Sequence, residues 1–305
     1  MNLLHDPWMP VRDDAGMRHW IAPDRLAEPQ WRAFDADRPD FNGALAQFAI
    51  GLLQTTTPVD SPIEWRRCFN NPPSGDTLRQ WFAPVTEAFV FDGDGPRFMQ
   101  DLTLRSDDAK PLPIADLLID TPSEDRALFV KRRASMKFCA ACAASATLTL
   151  QINSPEGGRG HFTGIRGGGP LTTLVWGSPE GALWTSLWRN VRFDRARAGG
   201  QSAPSDQSVF PWLATIDKLR AHGGEITSAQ AHEMHVFWAM PRRVWIEFHN
   251  ADQPDQCGVC GRSSISLVGS YRTRPYGLKY PSECWAHPLT PYRLNCPGFR
   301  RGSFD

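Results

Sequence analysis

The sequence predicts an α+β protein: mixed helices and short antiparallel strands stapled by a structural four-cysteine zinc site. Extended runs bounded by turn residues occur near the start and in the last quarter of the chain, with mostly apolar helical runs between them. Two pairs, Cys139-Ala-Ala-Cys142 and Cys257-Gly-Val-Cys260, offer the four thiolates of the tetrahedral shell that zinc prefers. The 114 residues between the pairs far exceed a zinc-finger linker, so one shared ion would staple a large fold.

The elements follow in order. Trp8 to Arg12 is extended, Asp13-Asp14-Ala15-Gly16 is turn chemistry, and Met17 to Ile21 returns, a hairpin. Residues 42–54 read as a helix with Ala44, Leu45, Phe48, Leu52 and Leu53 near one face. A second helix covers Asp76 to Phe91, bent or broken near Pro84. Residues 139–153 combine an alanine-rich stretch, which favours a helix, with Thr147 to Ile152, which favours a strand; the helix is preferred. Leu171 to Trp176 reads as a strand and Ala182 to Val191 as a helix, followed by an exposed polar loop over 194–208. A helix is expected from Thr227-Ser228 to Ala239, stopped by Pro241. Val244, Ile246 and Phe248 alternate in a half-buried strand, Arg243 to His249.

A chain of 305 residues can bury a proper core, so a staple is not needed to offset small size. The length fits one or two domains. No apolar run is long enough to span a membrane. Seven cysteines and the lack of an export-type N-terminus point to the cytoplasm, where paired Cys-x-x-Cys suggests metal more than disulfide. The glycines of Cys257-Gly-Val-Cys260-Gly suit a zinc knuckle, whose backbone N–H groups point at the sulfurs. With all four positions taken by protein, the ion would be structural and not catalytic. Cys68, Cys284 and Cys296 are read as ordinary thiols.

The zero net charge conceals an asymmetry: residues 1–130 carry 12 basic and 21 acidic residues, and residues 131–305 the remaining 21 basic and 12 acidic. This fits either two complementary halves or an acidic scaffold with a nucleic-acid-facing half. The glycine-rich stretch Glu156 to Pro170 is neither a Walker loop nor a dinucleotide turn. It reads as a flexible surface loop or as bare backbone that approaches a groove or phosphate; Arg159 and Arg166 favour the second. The basic run Phe129 to Lys137 precedes the first cysteine pair, and Arg272, Arg274 and Lys279 follow the second. Each is either a solvated face or a phosphate contact. Catalytic sets are thin. His232-Glu233-Met234-His235 is one residue short of His-Glu-x-x-His, so core or surface histidines are the better reading.

The opening Met1-Asn-Leu-Leu-His-Asp-Pro-Trp-Met-Pro-Val-Arg12 resembles the start of the CasA family, the large subunit of type I-E CRISPR Cascade. Asn71-Pro72, Trp81-Phe-Ala-Pro84, Arg97-Phe-Met-Gln100, Ala127-Leu-Phe-Val130 and the first cysteine pair continue the match. So do Arg166-Gly-Gly-Gly-Pro-Leu-Thr-Thr173, Phe237-Trp238, the second pair and Trp285-Ala-His-Pro288. The resemblance implies that residues 1–305 form the family's N-terminal α+β domain and act without enzymatic turnover. It implies partners: the guide-RNA 5′ handle, target double-stranded DNA beside a short PAM, other Cascade subunits and a helicase–nuclease. By resemblance, Gly157, Gly158, Arg159 and Gly160 enter the PAM minor groove, whose code is degenerate. Arg274, with Arg272 and Lys279 as alternatives, stands for the family's PAM-reading lysine. Phe129, with Lys131, Arg132 and Arg133 beside it, meets the RNA handle. Guide pairing reads the rest of the target. The family continues into a C-terminal helical bundle carrying a strand-separating wedge, which these 305 residues are expected to lack. The rival readings are a hydrolase around His232, Glu233 and His235, and a free-standing zinc-stapled RNA-binding protein.

Overall fold

The Asp13 carboxylate accepts from the Ala15 and Met17 amides at 3.0 and 2.8 Å, and Gly16 supplies φ +81°. That turn folds β1 (Met9–Asp13) against β2 (Arg18–Ile21), as the sequence predicts; β3 (Trp31–Phe34) pairs on the other edge of β1, giving the antiparallel order β2-β1-β3. The computed structural model describes residues 1–106, 109–120, 136–168, 172–193, 205–220, 223–281 and 285–290. These residues form two compact units, Met1–Phe91 with Thr173–Ser205, and Asp92–Thr172 with Asp206–Asp305. Neither boundary falls at the charge break near residue 130.

The first unit holds this sheet with α1 (Pro39–Thr56), α2 (Pro62–Asn70), α3 (Gly75–Phe82) and α5 (Leu183–Trp188). Helix α1 is buried nearly all round, consistent with its apolar run. Ser61 and Ser74 cap α2 and α3 by accepting from the amides three residues on. At Ala83-Pro84, α3 gives way to a 3₁₀ turn over Ala83–Phe89, the break expected at Pro84. A tryptophan cluster joins the helices. Trp184 stacks on Trp188 with centroids 4.9 Å apart, and both indoles donate to backbone carbonyls of α2, at Cys68 and Trp65.

The second unit is organised by β7 (Ser263–Arg274). Its full length pairs with β6 (Arg243–Gln256), and its other edge carries the two short strands β4 (Leu112–Pro113) and β5 (Phe138–Cys139). Helix α4 (Ala140–Asn153) starts where β5 ends. The preferred helix over 139–153 is therefore the one that forms. α6 (Ile216–Arg220) is a short helix. Phe98, Phe210, Trp212 and Trp238 pack edge-on in the core. Among the described residues, no helix is long and apolar enough to cross a membrane.

Two expected elements do not form. Residues 172–178 make no strand. Instead the Asn190 side chain accepts from the Val175 amide at 2.8 Å and donates to its carbonyl at 2.9 Å, replacing a strand partner. Between Thr227 and Ala239 there are turns and one 3₁₀ helix, Glu233–Phe237. The His232 ring caps that turn by accepting from the Met234 amide, which starts the segment six residues later than Thr227.

Candidate metal centre and glycine-loop platform

The sheet brings the two cysteine pairs together. Cys139 ends β5 and faces Leu267 of β7, while Cys257 and Cys260 sit in the turn that joins β6 to β7. All four sulfurs lie within 4.8 Å of one another, and Cys139 Sγ and Cys260 Sγ are 3.7 Å apart. A tetrahedron with Zn–S bonds of about 2.3 Å has sulfur–sulfur edges of about 3.8 Å. The donor set therefore fits a tetrahedral thiolate metal.

Backbone amides complete the site. The Cys139 amide donates to Cys257 Sγ at 3.2 Å. The Cys260 amide bonds to Cys257 and the Arg262 amide to Cys260, as a zinc knuckle requires. Gly261, at φ +70°, turns the chain so that its amide reaches Cys257 O at 2.9 Å. The Gly258 amide bonds to Lys137 O at 2.8 Å, fastening the knuckle to β5's approach. Thiol hydrogen bonds from Cys139, Cys142 and Cys260 hold Cys257 far below the usual thiol range. Bonds from Cys139 and Cys142 bring Cys260 down to about 7. Cys142 is pushed up, by Cys139 foremost. Four thiols this close share protons unless a cation neutralises them. Cys139 and Cys142 also lie at the N-terminus of α4, whose dipole favours thiolate. Cys68 stands apart, buried in the first unit.

The glycine loop lies at the far end of the same elements. α4 has 14 residues, a length of about 21 Å. From Leu267, opposite Cys139, to Arg274 is seven residues of β7, about 24 Å. Helix and strand thus run similar distances from the cysteines, and the chain leaving each meets the other. The Tyr276 amide donates to Gly160 O at 2.7 Å, and Arg159 Nε donates to the Tyr276 hydroxyl at 3.0 Å. Gly158 and Gly160 have φ of +83° and +78°, which glycine adopts without strain. Gln151 fixes the end of α4: its amide donates to Met99 O and Arg242 O at 3.1 and 2.9 Å and accepts from the Arg242 amide at 3.0 Å.

Two basic residues of this region pair with carboxylates. Arg272 pairs with Glu247 at 2.6 Å and Lys279 with Glu225 at 2.5 Å, so both charges are balanced within the fold. Arg274, the last residue of β7, immediately precedes the platform Pro275-Tyr276. Arg159 is exposed. Arg166 is not; burial pulls it down to about 10, and its guanidinium turns to Thr172 Oγ1 at 2.5 Å. Phe129, Lys131, Arg132 and Arg133 lie outside the described residues. Sequence reading passed over Tyr276 and Arg220, whose guanidinium lies 5.4 Å from the Tyr276 ring; only the turn chemistry of Pro275-Tyr276-Gly277 hinted at the first.

The histidine pair is not a hydrolytic centre. His235 is 1% exposed. Its Nδ1 donates to Ser208 O at 3.1 Å and its Nε2 accepts from the Tyr280 hydroxyl at 3.0 Å. Burial pulls its pKa down to about 4. Both nitrogens are engaged, and the only metal-competent cluster among the described residues is the cysteine one.

The second unit is thus an α+β scaffold with four cysteines placed to hold one metal ion at one end and a docked glycine turn at the other. The chain belongs to the family described as CRISPR-associated protein Cse1, whose sequence pattern matches residues 2–301. Solved structures share the fold. CasA (Cse1) of Thermus thermophilus matches with a TM-score of 0.65 and 17% identity, over 100% of this chain and 60% of that one. Cse1 of Acidimicrobium ferrooxidans matches at 0.61 and 16%, over 99% and 56%. A chain of a CRISPR RNA-guided surveillance complex, pre-nicking, matches at 0.60 and 15%, over 100% and 60%. The 305 residues thus span about 60% of these relatives' length.

Proposed function

We propose that this chain is the target-sensing part of the large subunit of a type I-E-like Cascade complex in antiviral defence. It acts by binding, in the cytoplasm, alongside a guide RNA and other Cascade subunits. The Gly157–Gly160 turn approaches the minor groove of the PAM duplex, Arg274 adds a charged contact, and R-loop formation starts there. Phe129, Lys131, Arg132 and Arg133 contact the RNA handle, and a helicase–nuclease is recruited after target binding. The four cysteines hold one structural zinc, which supplies a rigid tetrahedral junction and no open coordination position.

The observation that carries this reading is the Gly160–Tyr276 backbone bond. It fixes a glycine-rich turn beyond the end of β7, where backbone bare at Gly157, Gly158 and Gly160 can approach a groove closely. Arg272 and Lys279, each beside a carboxylate of the fold, are the alternatives to Arg274.

The test is the Gly160→Asp substitution in the assembled complex. An aspartate there is driven against Pro275 and Tyr276 and undocks the turn from its platform. Binding to PAM-bearing duplex should fall while guide-RNA assembly survives. Absence of any duplex binding, with RNA binding intact, would favour a free-standing RNA-binding role instead.

A further inference from the structure

Tyr276 is unusual in three ways. It is a non-glycine residue at φ +63°, it is 36% exposed, and two guanidinium groups converge on it. Arg159 reaches its hydroxyl at 3.0 Å from the glycine turn. Arg220, at the end of α6, lies 5.4 Å from its ring centroid. A bulky side chain in left-handed backbone is strained and persists where its surroundings hold it. Here the Gly160 carbonyl fixes the backbone of Tyr276.

The two arginines differ from their neighbours in charge balance. Arg272, Lys279 and Arg243 all have carboxylate partners. Among the described residues, neither Arg159 nor Arg220 has a carboxylate within ion-pair distance, and Arg220 Nε is buried without a hydrogen-bond partner. With Arg159 Nε bonded to Tyr276 and Arg220 Nε buried, the terminal nitrogens of the two guanidinium groups are the donors that would meet a phosphate. A structural pairing role would instead place carboxylates beside these cations.

We propose that Arg159 and Arg220, positioned by the hydroxyl and ring of Tyr276, form a two-point clamp on the DNA backbone phosphates flanking the Gly157–Gly160 turn. This rests on the proposed groove-facing role of that turn. Arg220 is then a phosphate contact supplied from a different segment of the chain, and Tyr276 is a positioning residue that acts through both arginines. The clamp sets register and affinity and carries no base readout.

The experiment measures binding of the assembled guide-RNA complex to matched duplexes at several KCl concentrations. The duplexes carry a randomised flank, and wild type, Arg220→Gln, Arg220→Lys, Tyr276→Phe and Gly160→Asp are compared. Each lost phosphate contact should flatten the slope of log affinity against log salt by about 0.9. Arg220→Gln should therefore weaken binding by the same factor for every flank and flatten the slope by that amount. Arg220→Lys should restore the slope, since a point charge still meets a phosphate. Tyr276→Phe keeps the ring under Arg220 but removes Arg159's acceptor, so its loss should be smaller than that of Arg220→Gln. An Arg220→Gln slope equal to wild type overturns the clamp. So does weakened binding that Arg220→Lys fails to restore, because the role is then structural. If Gly160→Asp abolishes flank preference while Arg220→Gln is silent, only the clamp fails. If wild type shows no flank preference, the underlying reading of the turn fails with it.

Discussion

Alanine at Gly160 should destabilise the second unit far more than alanine at Gly158, two residues earlier. Both glycines have left-handed backbone, where an L-residue costs about 1–2 kcal/mol. At Gly158 an added Cβ meets nothing within 4 Å, so that backbone penalty is the whole effect. At Gly160 the same atom would stand 2.8 Å from Pro275 Cβ and 2.9 Å from the Tyr276 nitrogen. Carbon contacts are normally about 3.5–4.0 Å. Neither neighbour is a flexible side-chain end, so the Gly160 O to Tyr276 N bond must lengthen. Overpacking adds about 1–3 kcal/mol and the weakened hydrogen bond about 1 kcal/mol. The expected totals are about 1–2 kcal/mol for Gly158→Ala and about 3–6 kcal/mol for Gly160→Ala. At ~2–4 °C per kcal/mol, the first lowers Tm by about 2–8 °C and the second by about 6–24 °C. Calorimetry on the two variants reads the difference, and hydrogen exchange at the Tyr276 amide localises it. Equal shifts, or unchanged exchange at Tyr276 in Gly160→Ala, would refute the docking of the turn on the Pro275-Tyr276 platform.

The other expectations concern metal, pH and a buried charge. Native mass spectrometry should find one zinc per chain, lost in Cys257→Ser and Cys142→Ser and kept in Cys68→Ala, which lies in the other unit. His235 is held neutral, with its pKa reduced from 6.5 to about 4 by burial. The unfolded chain binds that proton first, so its contribution is complete above about pH 6.5 and is lost as pH falls towards 4, by about 3 kcal/mol. His287, also depressed by burial, adds to the loss in the same direction. Thermal melts between pH 7.5 and 4.5 should show this slope, and His235→Asn should reduce it. Arg243 pairs at 2.6 Å with Asp101, whose side chain is fully buried. Arg243→Met should cost about 3–5 kcal/mol by leaving that carboxylate uncompensated, and Asp101→Asn in the same chain should recover part of it in denaturant titrations.

Much of the metal centre was legible in the sequence. Glycines after each cysteine of the second pair suit a metal knuckle and add nothing to core packing, and the alanine-rich start of α4 outweighed its strand-like Thr147 to Ile152. The hairpin was equally legible, because Asp13 and Gly16 carry the turn chemistry themselves. The failures arise where distant side chains decide the backbone. Nothing near Val175 announces that Asn190 will satisfy both its amide and its carbonyl. Thr227 to Ala239 has helical periodicity, yet the His232 cap and the buried ring packing of His235, Tyr280 and Trp285 select a short 3₁₀ turn. Charge is illegible in the same way. Nothing along the chain announces that Glu247 lies against Arg272 and Glu225 against Lys279. The cysteines and the Arg274–Tyr276 end lie at opposite ends of β7, so a metal held by the cysteines would act on the glycine turn only through the lengths of α4 and β7.

The central claim is that a glycine turn docked on Tyr276 senses the sequence beside a target. Its most direct test presents the assembled guide-RNA complex with matched duplexes bearing a randomised flank and sequences those retained. Wild type should enrich a restricted set of flanks, and Gly160→Asp should lose that enrichment while retaining its guide RNA. Retention of all flanks in proportion to the input library by the wild-type complex would contradict the account.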